Sequence, residues 1–273
     1  MEKIISGKAI ADEILAELKS EAAGRDITLA VIIVGADPAS HIYVKHKKKT
    51  CQAIGIGSQV HELSADTSEA KLLALIDELN RDAAITGILL QLPLPPHISE
   101  ERVVAAIDPQ KDVDCFHPIN IGNLLLGHDG FMPCTPAGII TLLKRANITI
   151  AGKECVIIGR SNIVGKPMAL LLLRENATVT ITHTKTVDLA AVCRRADILI
   201  AAAGRAKLVT ADYVKDGAIV IDVGIHRDGK KLCGDVDFDA VYPHVGAITP
   251  VPGGIGPMTI AMLMKNCVEA KPK

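Results

Sequence analysis

At 273 residues and 28.9 kDa the chain suits one large domain or two modest ones. Apolar residues make up 49% and aromatics only 2%, so a sizeable core must be built from Ile, Leu, Val and Ala. Thirty Lys and Arg against 31 Asp and Glu leave a formal charge of −1, which excludes a global field that would recruit DNA or RNA.

The opening "GKAIADEILAELKSEA" places Ile10, Ile14, Leu15 and Leu18 at helical spacing. "LAVIIVG" (29–35) is a short continuous apolar run, as in a parallel strand buried on both faces. Pro38 and Ser40 then open a helix through "SHIYVKHKKK", closed by Gly55. "GSQVHEL" is a second strand, "TSEAKLLALIDELN" an amphipathic helix capped by Thr67, and "TGILLQLPLP" a third strand ending in prolines. A loop-rich span covers 108–135, after which the pattern restarts. Helix "PAGIITLLKRA", strand "KECVIIG", helix "GKPMALLLLRE", strand "ATVTITH", helix "TVDLAAVCRRA" and strands "DILIAAAG" and "GAIVIDVG" follow, before a final apolar helix, "GPMTIAMLMKNCVEA". Repeated βα units in two blocks predict an α/β fold with parallel sheets, in two lobes with a cleft between them.

Seven cysteines, at 51, 115, 134, 155, 193, 233 and 267, form no C-x-x-C, and none sits beside histidines at zinc-finger spacing. Reduced thiols and no metal site are expected. The start "MEKIISGKAIADEI" carries charges where a signal peptide needs an apolar run, and no apolar stretch is long enough for a bilayer. A soluble cytoplasmic protein is expected, with no membrane and no nucleic-acid partner.

"VIIGRSNIVGKPM" (156–168) is a strand, a glycine turn and a helix start, which offers backbone N–H groups and a positive dipole end to a phosphate. Gly159 and Gly165 are separated by five residues, off both the G-x-G-x-x-G and Walker A spacings, and Pro167 stands where Ser or Thr would hold magnesium. That spacing argues against a nucleotide-hydrolysing loop. A dinucleotide fold places an acidic residue at the end of the next strand to grip a ribose, but here that tip reads "THTKT" (182–186). Arg160, Thr184 and Lys185 suit a 2′-phosphate, so NADP is expected in preference to NAD, with Gly159, Arg160 and Ser161 at the turn. An exposed loop with no ligand is the competing reading.

Tyr43 and Lys47 are i and i+4 on one helix face, with Ser40 a turn earlier. Short-chain dehydrogenases use Tyr-x-x-x-Lys too, but after their glycine motif. Here the pair precedes the glycine turn by more than a hundred residues, which rejects that family.

Six stretches occur together in one order: "ASHIYVKHKK", "GILLQLPLP", "KDVDCFHPIN", "PCTPAGI", "GRSNIVGKPM" and "TPVPGGIGPMT". With them the chain resembles, over essentially its whole length, the bifunctional methylenetetrahydrofolate dehydrogenase/cyclohydrolases. One departure stands out, because the family usually reads Asp-Val-Asp-Gly-Phe and Cys115 replaces the glycine here.

The resemblance implies NADP-dependent oxidation of 5,10-methylenetetrahydrofolate and hydrolysis of the methenyl product to the 10-formyl form, by a homodimer. It further implies that Lys47 assists proton transfer, that Gln91 hydrogen-bonds to it, and that Tyr43 packs against the folate. Asp114 would bind the amino-pyrimidine edge of the pterin, with Asp112 ordering the loop. Ile225 after "VIDVG", and Thr259 in the rigid "PVPGGIGPMT" segment, would lie close to the cofactor. The expected domains are 1–118 for folate and catalysis and 119–273 for NADP in a Rossmann-like fold, with helix 257–270 packing back on the first. A dehydrogenase with weak hydrolysis, and a non-catalytic NADP-binding protein, are the alternatives. Asp114 and the Tyr43–Lys47–Gln91 set argue against the second.

Overall fold

The computed structural model describes residues 3–229 and 231–270, which group into two compact units. One unit takes Glu13–Met132 and the C-terminal segment from Ile260; the other takes the N-terminal segment to Asp12 and Pro133–Thr259.

The first unit takes α1 (Gly7–Ala22) from Glu13 onward, which leads to β1 (Thr28–Val34), whose Leu29–Val34 run is wholly buried. Burial on both faces follows from its place at the centre of a three-stranded parallel sheet, β2-β1-β3. β2 (Gly57–Leu63) pairs from Thr28↔Gly57 to Val34↔Leu63, and β3 (Gly87–Leu90) from Leu29↔Gly87 to Ile32↔Leu90. Between them run α2 (Pro38–Ile54) and α3 (Glu69–Arg81). The Asp37 carboxylate caps α2 by accepting the Ser40 N–H, and Gly55 closes it in the left-handed region at φ 82°. Leu72, Ile76 and Leu79 of α3 pack with Ile32, Ile88 and Val103 into one core, each burial stabilising by roughly 1.5–3 kcal/mol.

Three local expectations change here. The cap of α3 is Ser68, whose hydroxyl accepts the Lys71 N–H, rather than Thr67. The third strand stops at Leu90 instead of running to the prolines, which lack the N–H a ladder needs. The span 108–135 is not all loop, since α5 (Pro118–Leu126) lies inside it, after the short α4 (Glu100–Ala105) that precedes it. His117 caps α5 through its ring and Gly127 ends it at φ 78°.

The second unit holds α6 (Cys134–Arg145), β4 (Glu154–Ile158), α7 (Gly165–Arg174), β5 (Thr178–Thr182), α8 (Leu189–Cys193), β6 (Ile198–Ala201) and β7 (Ile219–Asp222). A hairpin of β8 (His226–Asp228) and β9 (Lys231–Cys233), the short α9 (Phe238–Val241) and β10 (Ala247–Ile248) follow. The main sheet is parallel with order β10-β7-β6-β4-β5. The chain therefore leaves β4 to one side for β5 and to the other for β6, a switch point of the kind where open α/β sheets bind ligands. α8 is shorter than its apolar pattern, beginning only after Asp188, which caps it from a left-handed conformation. The final helix, α10, runs Ile255–Glu269. Within the first unit its later turns are tied down by Cys51 Sγ against Met264 Sδ at 3.6 Å and by Asn266 Nδ2 donating to the Val113 and Met132 carbonyls at 2.8 and 2.9 Å. No described helix is long and apolar enough to cross a membrane.

Candidate active site

The first unit brings Lys47 and Gln91 into direct contact. Lys47 lies on α2 and is only 8% exposed, and its Nζ donates to Gln91 Oε1 at 3.1 Å. Gln91 sits one residue past β3, where its N–H extends the ladder to the Ile32 carbonyl, and its own amide donates to Leu92 O at 2.8 Å. That second bond fixes which amide atom faces the lysine. An ammonium has three protons, so one bond to Gln91 leaves Lys47 able to serve a ligand as well. Lys45, Lys48 and Lys49 are exposed neighbours. Tyr43, one turn earlier, is half-buried, and burial pushes its phenol above the usual value. Ser40 is buried and donates to Asp37 Oδ2 at 2.8 Å, which makes it part of the helix cap.

Asp114 stands half-buried on the turn after Asp112. The Asp112 carboxylate is buried and accepts from Phe116 N–H, His117 N–H and Asn120 Nδ2 at 3.2, 2.8 and 2.9 Å, so it orders this loop. The Ile88 N–H donates to Lys111 O at 2.7 Å, joining the loop to the same strand that presents Gln91. Cys267 on α10 lies within electrostatic reach of both Lys47 and Asp114. Burial pushes its thiol far up, Asp114 adds to that rise, and Lys47 opposes it.

Cys115 adopts φ 60°, the left-handed conformation that the family glycine would take without cost. Its buried thiol donates to Phe131 O at 3.1 Å, and burial with the Asp112 and Asp114 charges pushes that thiol well above its ordinary range. The loop thus keeps a glycine-like path around a cysteine. Cys115→Gly removes about 1–2 kcal/mol of left-handed strain but loses a buried thiol and adds chain entropy of about 0.5–1 kcal/mol. The expected result is a melting midpoint within about 5 °C of the parent and hydrolysis equal or higher. Collapse of both activities would mean that the loop depends on the sulfur.

In the second unit Gly159 ends β4 at φ 122°, and a Cβ there would strike Ala202 O. A Cβ on Gly165 would strike Gly159 O. The turn is therefore a cradle that side chains would fill, feeding the N-terminus of α7. Ser161 shapes it, its hydroxyl accepting the Val164 and Gly165 N–H groups at 3.2 and 3.3 Å. Pairing of Ile158 with Thr182 sets the β4 and β5 ends side by side, with exposed Arg160 on one and exposed Thr184 and Lys185 on the other. No carboxylate stands in the 182–186 tip. Ile225 is 45% exposed, and its Cδ1 lies 3.7 Å from where a Cβ on Gly256 would sit. Thr259 shares a 2.9 Å hydrogen bond with Thr135, which the sequence reading quoted inside "PCTPAGI" without giving it a role.

The sequence reading also missed Asp222, Asp235 and Asn266. "VIDVG" (220–224) and "GDVD" (234–237) could have flagged Asp222 and Asp235 one at a time, as acidic residues among apolar ones beside a glycine. Asn266 leaves a fainter mark, a single polar residue on an otherwise apolar helix face.

A glycine cradle at the switch point of a parallel sheet is the arrangement found in dinucleotide-dependent enzymes, and the other unit holds the buried Lys47–Gln91 pair. The catalytic-domain model of the tetrahydrofolate dehydrogenase/cyclohydrolase family matches residues 5–114, and the NAD(P)-binding-domain model of that family matches 133–273. The bifunctional protein FolD of Agathobacter rectalis is 60% identical over 99% of this chain and 99% of its own. The bifunctional enzyme FolD of Campylobacter jejuni, a crystal structure, is 50% identical with a TM-score of 0.95, covering 98% of this chain and 97% of its own. The FolD of Trypanosoma brucei, solved with NADP and an inhibitor, is 40% identical with a TM-score of 0.92 over 97% and 95% of the two chains. The chain belongs to the tetrahydrofolate dehydrogenase/cyclohydrolase family.

Proposed function

We propose that this chain oxidises 5,10-methylenetetrahydrofolate to the 5,10-methenyl cation with NADP⁺, then adds water to give 10-formyltetrahydrofolate and a proton. The observation that carries the reading is the buried Lys47 ammonium hydrogen-bonded to Gln91, in the unit that also holds Asp114. NADP⁺ supplies the hydride acceptor. The two nitrogens flanking the methylene carbon stabilise the cation left behind, so the oxidation needs positioning rather than a protein base. Tyr43 gives the folate an aromatic wall and Asp114 accepts the donors of the pterin amino-pyrimidine edge. Hydration differs, because attacking water must lose a proton. Lys47 takes that proton as the free amine and becomes the ammonium, which Gln91 Oε1 holds in place.

For the cofactor, the cradle of Gly159 and Ser161 takes the pyrophosphate at the N-terminus of α7, and Arg160 with Thr184 takes the 2′-phosphate. Ile225 and Thr259 line the nicotinamide end. We assign folate work to the domain set at 1–118 and NADP to 119–273, although residues 119–132 group with the first unit and residues up to Asp12 with the second; the contacts of Met264 and Asn266 support a last helix that serves the first domain. Exposed Leu125, Leu126, Leu173 and Val187 favour a homodimer, which light scattering would check as twice the chain mass. The seven cysteines, none of them in a disulfide, suit the reducing cytoplasm.

Arg160→Ala tests the phosphate assignment. The Michaelis constant for NADP⁺ should rise about tenfold or more, the scale of one lost charged hydrogen bond, with little change for NAD⁺. Equal loss with both cofactors would remove Arg160 from the 2′-phosphate.

A further inference from the structure

The second unit contains two buried carboxylates that the chemistry above does not use. Asp235 is fully buried. Its Oδ2 accepts the Ala203 and Gly204 N–H groups at 2.6 and 3.0 Å, and its Oδ1 accepts Arg205 N–H at 2.9 Å. His226 Nε2 lies 2.7 Å from the same Oδ1. Asp222, at the end of β7, holds Asp235 in turn. Its carboxylate accepts the N–H groups of Gly224, Asp235 and Val236 at 3.0, 2.9 and 3.0 Å, and its own N–H donates to Thr249 Oγ1 at 2.8 Å. Gly224 and Gly234 are interlocked with the pair, since a Cβ on Gly224 would strike the Asp235 carboxyl and one on Gly234 the Asp222 carboxyl.

Burying carboxylates is costly unless backbone donors satisfy them, and both are saturated here. What they hold is informative. Residues 202–205 follow β6, the neighbour of β4, and Ala202 O is the atom against which Gly159 is packed. The 202–205 backbone is therefore the wall of the switch-point crevice facing the glycine turn, while His226 adjoins Ile225 at the end of β7. One carboxylate fixes both segments.

We propose that Asp235 is a positioning residue of the dinucleotide site. Seated by Asp222, it holds the backbone of 203–205 and the His226 ring in the binding conformation without touching the cofactor itself. The proposal rests on the NADP reading above.

Asp235→Asn keeps the size but offers one acceptor oxygen in place of two and turns an NH₂ toward backbone donors. The dissociation constant for NADP⁺, measured by calorimetry, should rise about tenfold or more. The Michaelis constant for NADP⁺ should rise by a larger factor than kcat falls. Hydrolysis of added methenyltetrahydrofolate, which needs no dinucleotide, reports on folding in the same samples. An NADP⁺ affinity equal to the parent's would overturn the proposal. Absence of NADP⁺ binding by the parent would instead remove the cofactor reading. Should the variant not fold, amide exchange in the parent decides. Slow exchange at Ala203, Gly204 and Arg205 without cofactor, slower still with NADP⁺, supports a prepared wall. Exchange there as fast as in exposed loops, unaffected by NADP⁺, overturns it.

Discussion

Lys47→Met should lower methenyl hydrolysis by roughly 10²–10⁴-fold, the range for a lost acid–base group, while much more of the NADP-linked oxidation survives. The separation follows from the chemistry of the two steps. Hydride leaves a carbon whose two nitrogen neighbours supply the electrons, so no protein proton acceptor takes part. Water attacking the cation has to give up a proton, and the buried Lys47 amine, held by its bond to Gln91, is the group placed to accept it. Methionine keeps the buried apolar stem and deletes the amine alone, leaving Gln91 Oε1 without its donor at a cost of about 1–3 kcal/mol. Methenyl product should accumulate in the absorbance trace as reduced cofactor forms. Proportional loss of both activities would make Lys47 a binding or structural residue. Full retention would make "SHIYVKHKKK" an ordinary helix face with no part in the chemistry.

Asp114→Asn should weaken folate binding by about 10–100-fold, corresponding to one or two charged hydrogen bonds, with NADP⁺ binding intact. The turn that carries the residue is held independently of its carboxylate. Asp112 takes three donors, Asn266 grips Val113 O, and Cys115 ties the next residue to Phe131 O. The asparagine therefore arrives at the same place, lacking the charge and one of two acceptor oxygens. Equilibrium titration with folate reads the effect directly. Unchanged affinity would place the pterin elsewhere.

Elements with strong periodicity were legible in the sequence. α1 spans the same residues as the quoted apolar stretch, and β1 lies within one residue of its run. What escaped were elements held by tertiary contacts. α5 is nine residues and depends on His117 and Gly127 at its ends, while β10 is a two-residue strand completed by pairing to β7. The Lys47 and Gln91 positions could be read from quoted motifs, and the resemblance implied the bond between them, which the fold makes at 3.1 Å across 44 residues. Asp222 and Asp235 were invisible as a pair because their meaning lies in the backbone donors that surround them. Cys115 shows the opposite case. Sequence reasoning identified the strained position, and the fold resolves it by giving the thiol a carbonyl partner.

The claim at the centre is that one chain performs both a dinucleotide-linked oxidation and a hydrolysis. Purified protein incubated with 5,10-methylenetetrahydrofolate and NADP⁺, with reduced cofactor and methenyl product followed separately, tests it in a single trace. The account predicts steady NADPH formation with methenyl product held at a low level as 10-formyltetrahydrofolate appears. Methenyl product rising one-for-one with NADPH, or no NADPH at all, would contradict it.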